Sequence, residues 1–271
     1  MIRLRRSIRF CLTDPATFAA DMASGTNGFA GKPSMQGIAP HGEVEVSCVG
    51  EPDPIVNYVL DIKDIDDAVR TILLPPLAAA AAANPQPPVA AVLRDSLIPL
   101  GSRLFGRVES VTLKLTPTHS LAMNTASPDR VLLRQQFDFA AAHRLHTPSL
   151  SDEENRRRYG KCNNPRGHGH NYKFEPCVEM QIDPSLGSPL SLHDLEAACK
   201  RAIIDRFDHT HLNEDTTEFD LAKGGVIPTI ENISRVLFDL LGRDLAATAP
   251  RVRLVSMTAW ETDRTSATYP A

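Results

Sequence analysis

The sequence predicts an α+β fold built from two similar units, residues 1–128 and 129–271. Short segments that alternate apolar and polar residues predict β-strands in both halves. Longer segments with apolar residues at helical spacing predict amphipathic helices between the strands. These elements follow one another in the same order in each half, which indicates an internal repeat.

The first half is predicted to contain three strands and one clear helix. The strands cover residues 2–12, 43–49 and 108–115, and the helix covers 60–74, where Pro75-Pro76 is expected to end it. Other segments are predicted to lack regular structure, namely a loop over 24–40, a low-complexity insertion or surface loop over 77–88, and a linker over 116–130. The six alanines that begin at Ala78 leave open that the helix continues.

The second half repeats this order. Strands are predicted over 131–143, 168–182 and 252–260, with a long polar loop between the first two. A helix is predicted over 190–207 with Ser191 as its N-cap, and a second helix begins near Thr229. The apolar residues of this second helix that are expected to face inward are Ile233, Leu237, Leu240 and Leu241.

Placing residue n over residue n+130 aligns the two halves. The matched pairs are Gly37 with Gly167, Asp53-Pro54 with Asp183-Pro184, and residues 60–66 with 190–196. The potential metal ligands do not repeat, because His168 and His170 align with Ile38 and Pro40. The first half is therefore predicted to be a degenerate copy without metal or catalytic residues.

Composition limits the functional classes. The net charge of −4 argues against general nucleic-acid binding. The five cysteines lack CxxC spacing, which predicts free thiols and a reducing compartment. Neither a signal peptide nor a membrane-spanning segment is expected, so the sequence predicts a cytoplasmic protein that does not enter membranes.

Three histidines form the strongest chemical signal. His168 and His170 are two residues apart on a predicted strand, so their side chains point to the same face. His143 follows Phe137 and Phe139 with period two, so a strand that buries the phenylalanines also turns this histidine inward. Three imidazoles leave one open position on a tetrahedral zinc ion, which is typical of catalytic zinc sites.

Cys162 lies six residues before the histidine pair. A metal ion and the cations Lys161 and Arg166 would favour its thiolate and make it a base or nucleophile. The alternatives are a fourth zinc ligand or an inert buried thiol.

Other candidate groups lie further along the chain. Asp208 precedes His209 at a predicted helix end, where the carboxylate can orient the imidazole. Glu231 and Glu261 are either ordinary capping carboxylates or acceptors for an amidine-like ring edge, such as that of a guanine or pterin. A basic run consists of Arg156, Arg157, Arg158, Lys161 and Arg166. Such a run is by default a solvated loop, but beside a metal site it could attract a polyphosphate.

With these residues in view, the second half resembles the 6-pyruvoyl-tetrahydropterin synthase family, which includes the bacterial 6-carboxytetrahydropterin synthases. The matching segments run in the family's order and are FAAAHRL, YGKCNNPRGHGHNY, FDHTHLN, PTIEN and WETDRTSATY. The resemblance implies tunnelling-fold units of order ββααββ, which assemble side by side into barrels within a homo-oligomer. It also implies the substrate 7,8-dihydroneopterin triphosphate, from which triphosphate is eliminated.

The resemblance further implies a role for each candidate residue. Zinc is expected on His143, His168 and His170, with Cys162 as the catalytic base and Asp208 and His209 as its proton-relay partners. Glu261 is expected to anchor the pterin ring, and Glu231 to lie at the ring edge or to support the site.

Two alternatives to a pyruvoyl-forming enzyme remain open. The spacing from Cys162 to His168 is similar to that of the pyruvoyl-forming enzymes, whereas the Ala/Pro-rich composition is compatible with a bacterial 6-carboxytetrahydropterin synthase of queuosine biosynthesis. The second alternative is a non-catalytic pterin-binding assembly. The family is usually single-domain, so the preceding copy is expected to supply subunit-interface surface.

Overall fold

The computed structural model describes residues 1–12, 40–183 and 190–271. These residues form two compact units, the first comprising Met1–Leu133 with Met180–Pro189 and the second Arg134–Glu179 with Leu190–Ala271. Apart from Pro40, the loop predicted over 24–40 lies outside the described residues. No helix among the described residues combines the length and apolar character needed to cross a bilayer.

The first unit contains an antiparallel sheet and three helices. Its elements are β1 (Ile2–Cys11), β2 (His41–Gly50), α1 (Ile62–Ala68), α2 (Leu74–Ala82), α3 (Val89–Arg103), β3 (Val108–Thr116), β4 (His119–Asn124) and β5 (Ser127–Gln135). The strands are ordered β1-β2-β3-β4-β5. The strands predicted over 2–12, 43–49 and 108–115 are therefore confirmed.

The helical region of the first unit is longer than predicted. Pro75 and Pro76 do not end the helix, because a π-helical turn (Val69–Leu73) joins α1 to α2 and both prolines lie in the first turn of α2. Proline is tolerated there because the amide N–H groups of a first turn have no partner within the helix. The alanines continue α2 to Ala82, so half of the loop predicted over 77–88 is helical, and α3 was not predicted.

The linker predicted over 116–130 is wrong, since this segment contains β4 and the first four residues of β5. Leu121 and Met123 are buried on β4, and Val131 and Leu133 are buried on β5. Each pair has the period of two that a strand with one buried face requires. The surrounding Thr, Ser, Asn and Pro residues obscured this short alternation in the sequence.

The second unit has the strand order β10-β9-β7-β6-β8. Its elements are β6 (Phe137–His143), α4 (Asp152–Tyr159), β7 (His168–Gln181), α5 (Leu192–Cys199), α6 (Asp205–Phe207), β8 (Thr210–His211), α7 (Leu212–Asp215), α8 (Ile230–Thr248), β9 (Val252–Thr262) and β10 (Thr265–Tyr269). The strand predicted over 131–143 is divided between β5 and β6, the predicted polar loop contains α4, and β10 was not predicted.

Both predicted helices of this unit are confirmed, the first with its predicted cap Ser191 and the second with its predicted start near Thr229. The Ser191 hydroxyl accepts a hydrogen bond from the Asp194 amide at 3.1 Å, and the Asp194 carboxylate accepts one from the Ser191 amide at 3.1 Å. This capping box satisfies two amide groups that the first turn of α5 leaves without helical partners. A π-helical turn (Lys200–Ile204) continues α5 into α6, and Thr229 caps α8.

The long helix α8 packs against β9 and β10 through one apolar face. Ile233, Leu237, Leu241 and Leu245 are at most 1% exposed. Leu240 was also predicted to face inward but is only half-buried, because it lies at the edge of this face.

We expect Leu241→Ala to lower the free energy of unfolding by roughly 2–5 kcal/mol, because it removes a fully buried side chain and leaves a cavity. The neighbouring half-buried side chain provides a matched control, so Leu240→Ala should cost clearly less. Urea denaturation followed by circular dichroism would measure both values. Equal losses for the two variants would contradict this assignment of the core face.

Candidate active site

The antiparallel pairing of β6 with β7 brings three histidines together. In this register His143 lies opposite His168, and Ala141 lies opposite His170. Residues two apart on a strand share a face, so all three imidazoles point to one side of the sheet. Phe139 and Tyr172 stack on the same face, with ring centroids 5.2 Å apart. The buried side of β6 is therefore the one that the sequence pattern predicts.

Gly167 sets the beginning of β7. Its φ is +69°, and a Cβ atom at this position would lie 2.9 Å from the His143 carbonyl oxygen and 2.6 Å from the Nε2 atom of His211. Glycine adopts this left-handed conformation without steric cost, and no larger side chain fits in this space. The glycine thus allows the chain to enter β7 close beside the end of β6.

The ligand atoms of four side chains converge at this point. The Nε2 atom of His143 lies 3.2 Å from the Nε2 atom of His168 and 3.1 Å from the Oε1 atom of Glu261. His170 Nε2 lies 3.2 Å from the same Oε1 atom, without hydrogen-bond geometry. The potential ligand atoms of these four residues all lie within 4.8 Å of one another.

These distances fit a small divalent metal ion. With bonds of roughly 2.0–2.1 Å, a tetrahedral ion holds its ligand atoms about 3.3–3.4 Å apart. The three close separations in the cluster fall near this value. The cluster could therefore hold a metal ion with little movement of its side chains.

The protonation of His143 also suits metal binding. Its ring is fully buried, and Nδ1 lies 2.9 Å from the carbonyl oxygen of Pro228, just before α8. A carbonyl oxygen only accepts, so Nδ1 carries the proton and the lone pair of Nε2 faces the cluster. Such a backbone contact fixes the tautomer and the ring orientation of a metal ligand.

The surroundings of His168 and His170 keep their rings neutral. Partial burial is the main cause that lowers the pKa of His168 and His170, and the neighbouring His143 lowers it further, while Glu261 opposes the shift. Since the usual pKa of histidine is near 6.5, both rings are neutral at pH 7 and can each offer a lone pair to a metal.

Glu261 lies near the end of β9, inside the histidine cluster. The His143 ring beside it lowers the pKa of the carboxyl group more than partial burial raises it, so the group is an anion at neutral pH. The family resemblance implies that this residue binds the substrate rather than the metal. In the structure its carboxylate is close enough to the three imidazoles to take part in either kind of contact.

Cys162 lies on a 3-10 turn (Gly160–Asn163) that follows α4. The turn is held in place because the Cys162 carbonyl oxygen accepts from the Leu145 amide at 2.9 Å, and the Asn163 side chain donates to the Leu145 carbonyl at 2.7 Å. Partial burial and the charge of Glu261 raise the pKa of the thiol. In the chain alone the thiol form is therefore favoured, although two cations were expected to promote the thiolate.

Hydrogen bonds to the backbone of β6 hold Asp208 and His209 in place. The Asp208 carboxylate accepts from the Ala140 amide at 2.9 Å and lies 2.9 Å from the Nδ1 atom of His209. These two contacts lower the pKa of Asp208. His209 has a φ of +59° and donates its amide to the Ala140 carbonyl at 2.6 Å, while its side chain is 83% exposed.

The predicted site residues line two different pockets of the second unit. Cys162 and His168 line a pocket of about 770 Å³. His209 and His170 line another of about 540 Å³. Glu231 lies exposed in the first turn of α8 and belongs to neither the metal cluster nor the lining of these two pockets.

Several residues of the site were not found by sequence analysis. Pro228 orients His143 through a backbone carbonyl, which leaves no signal in residue type. The Tyr172 hydroxyl is buried beside the histidines and has no hydrogen-bond partner in the part of the chain that the structure describes. Arg144 lines the pocket of Cys162, and its position directly after His143 could have indicated this.

Comparison with known proteins assigns the second unit to a family. The family model described as 6-pyruvoyl tetrahydropterin synthase matches residues 132–271. The 6-pyruvoyl tetrahydrobiopterin synthase of Homo sapiens is 38% identical over 135 residues, which are 50% of this chain and 88% of the human protein. That of Poecilia reticulata is 44% identical over 112 residues, 41% of this chain and 74% of the relative.

A solved structure also matches the chain. The 6-pyruvoyl tetrahydropterin synthase of Caenorhabditis elegans is 33% identical, with a TM-score of 0.46, over 52% of this chain and 94% of that chain.

We expect the purified chain to retain one divalent metal ion after dialysis, and His168→Ala to reduce this content at least tenfold, because one of the converging lone pairs is lost. His193 is exposed on α5, outside the cluster, so His193→Ala is the matched control and should retain the metal. Metal analysis by plasma mass spectrometry would measure both. Equal metal content in the two variants would contradict the assigned site.

Proposed function

The chain belongs to the 6-pyruvoyl tetrahydropterin synthase family, and from this membership we propose that it is a zinc-dependent carbon–oxygen lyase acting on 7,8-dihydroneopterin triphosphate. The observation that carries the proposal is the convergence of His143, His168 and His170 next to the pocket of Cys162. A metal site beside a nucleophilic or basic group is the arrangement that side-chain chemistry of this kind requires.

The three histidines would hold the zinc ion through their neutral rings. Zinc would supply Lewis acidity, which polarises the oxygen atoms of the substrate side chain and acidifies the adjacent carbon atoms. Zinc is favoured among divalent metals because a set of three imidazoles with an open position is typical of catalytic zinc. The fixed tautomer of His143 supports this assignment.

Cys162 is proposed as the base that removes a proton from the substrate side chain. It lines the pocket next to His168, and its turn is held by backbone contacts on both sides. The raised pKa of its thiol, partly due to the Glu261 charge, means that the thiolate needs added positive charge nearby. A dication on the histidines would offset the charge of Glu261.

Asp208 and His209 are proposed to deliver or accept protons during the same reaction. The Asp208 carboxylate orients the His209 ring and can stabilise its cation, as the low pKa of this carboxyl group supports. The exposed ring of His209 is free to meet a substrate in the pocket that it shares with His170.

Glu261 is proposed to bind the pterin ring. Its carboxylate is ionised, and two carboxylate oxygens can accept a pair of parallel N–H donors from an amidine-like ring edge. Glu231 is proposed only as a supporting residue, because it is exposed at the beginning of α8.

The product identifies the reaction. We expect incubation with 7,8-dihydroneopterin triphosphate to release triphosphate and to give a pterin with a diketo side chain, as detected by mass spectrometry. Release of acetaldehyde would instead assign the chain to the 6-carboxytetrahydropterin synthases. Binding of the substrate without turnover would contradict both enzyme assignments and would indicate a pterin-binding assembly.

In the same assay, Cys162→Ala should retain zinc and lose triphosphate release by at least 100-fold, roughly the lower value for a general base.

We also propose that the chain is a tandem repeat of tunnelling-fold units that forms a homo-oligomer. Each unit contains the order strand, strand, helical region, helix, strand, strand, with additional short elements, which supports the repeat. β1 and β10 end the strand orders of their units, and an unpaired edge strand favours pairing with another chain. Light scattering after size-exclusion chromatography should therefore give a symmetric oligomer, and a monodisperse monomer would contradict this assembly.

A further inference from the structure

The pocket beside Cys162 carries three cationic side chains. Arg144, Arg156 and Lys161 line it, together with Cys162 and His168 at the metal cluster. Its volume of about 770 Å³ is large enough for a flexible phosphate chain as well as part of a pterin side chain. Asp152 is the one carboxylate among its lining residues, so positive charge dominates this pocket.

The cation nearest to the metal cluster in sequence, Arg144, is held in place by its backbone. Its amide donates to the Asn213 side-chain oxygen at 2.8 Å, and its carbonyl accepts from the Asn213 side-chain nitrogen at 3.0 Å. The guanidinium contacts the Nδ1 atom of His146 at 3.3 Å, whereas its Nε atom is buried without a hydrogen-bond partner. This arginine thus has an unused N–H donor.

None of the three cations is neutralised by a carboxylate of the residues that the structure describes. Among residues 1–12, 40–183 and 190–271, no carboxylate lies within ion-pair distance of Arg144, Arg156 or Lys161. By contrast, many other arginines of the described residues form ion pairs, as Arg201 does with Asp244 at 2.8 Å. Three unpaired cations around one pocket create a field that attracts an anion of high charge.

The second pocket at the metal cluster has the opposite character. It is lined by small residues, histidines, Asn171 and Thr210, and by no lysine or arginine. A substrate held at the three metal-binding histidines can therefore direct an anionic group favourably to only one of these two pockets. That pocket is the one that contains the proposed base, Cys162.

We propose that Arg144, Arg156 and Lys161 bind the triphosphate of the substrate and orient it as a leaving group. This inference rests on the proposed function for the identity of the substrate. In the elimination, a proton leaves the carbon next to the C–O bond, its electron pair forms a C=C bond, and the C–O bond breaks with its electrons on the triphosphate oxygen. The three cations stabilise the negative charge that develops there.

Only some residues of the basic run line the pocket. Arg156 lines the pocket, whereas Arg157 and Arg158 on the same helix do not, and neither does Arg166. Successive helix residues point about 100° apart, so adjacent arginines on α4 face different surroundings. The run is therefore not a uniform basic patch, and Arg157 is a control with the same charge, helix and exposure as Arg156.

The test uses the metal-loaded chain and inorganic tripolyphosphate as the probe, measured by isothermal titration calorimetry at fixed ionic strength. We expect Arg156→Gln and Lys161→Gln each to weaken binding by about 10- to 100-fold, the range for a lost charged hydrogen bond. Arg144→Gln should have a similar effect, and Arg157→Gln should change binding less than threefold. Because tripolyphosphate can chelate metals, the metal content of every variant is determined after titration.

Kinetics with 7,8-dihydroneopterin triphosphate separate this inference from the proposed function. If the chain turns over this substrate but Arg156→Gln behaves as Arg157→Gln in both binding and KM, the triphosphate site is wrong and the proposed function stands. If the chain shows no turnover while tripolyphosphate binding depends on the three cations, the proposed function fails and the polyanion site stands. Equal weakening by Arg156→Gln and Arg157→Gln would also overturn the inference, because it indicates only nonspecific charge attraction.

Discussion

The antiparallel register of β6 and β7 is the constraint on which the site depends. It sets His143 opposite His168, and it places His170 on the same face two residues further along. A slip of one residue would move the side chains of one strand to the other face and separate the imidazoles. The aromatic side chains Phe139 and Tyr172 stack on this face and pin the register, because a slip would also expose them.

The same register links the metal cluster to both pockets. His168 and His170 lie on alternate positions of β7, and each opens onto a different pocket of the second unit. Glu261 reaches the cluster from β9, and Pro228 fixes His143 from the segment before α8. Four separate segments of the chain therefore meet at one point, where the potential ligand atoms of the cluster lie within 4.8 Å of one another.

Whether a residue of the site could be predicted depends on how far apart in the sequence its contacts lie. The histidines were predictable because strand periodicity alone determines which side chains share a face. Arg144 directly follows His143, but its place in the pocket also depends on a backbone contact with Asn213, 69 residues away, which the sequence does not show. The tautomer of His143 depends on Pro228 in the same way, since a carbonyl oxygen is present at every residue.

The errors in the fold have a similar cause. The sequence predicts a linker where β4 and the beginning of β5 lie, because their alternation extends over few residues and is surrounded by residues typical of turns. The sequence predicts that the helix ends before Pro75, because proline usually breaks a helix interior. In the structure a π-helical turn comes before the prolines, and α2 begins directly after this turn. Local sequence patterns therefore predict long elements reliably. They fail where the residues that would end one element also begin the next element.

The separation of Cys162 from His209 bears on how the proposed reaction moves protons. Cys162 lines the pocket that contains Arg144, Arg156 and Lys161, and His209 lines the pocket without lysine or arginine. Cys162 would remove a proton beside the leaving triphosphate, and His209 would exchange protons from the other pocket. The two groups need not contact each other. Each can instead act on the substrate directly. In the proposed reaction the base and the acid would then lie in different pockets, one lined by His168 and the other by His170.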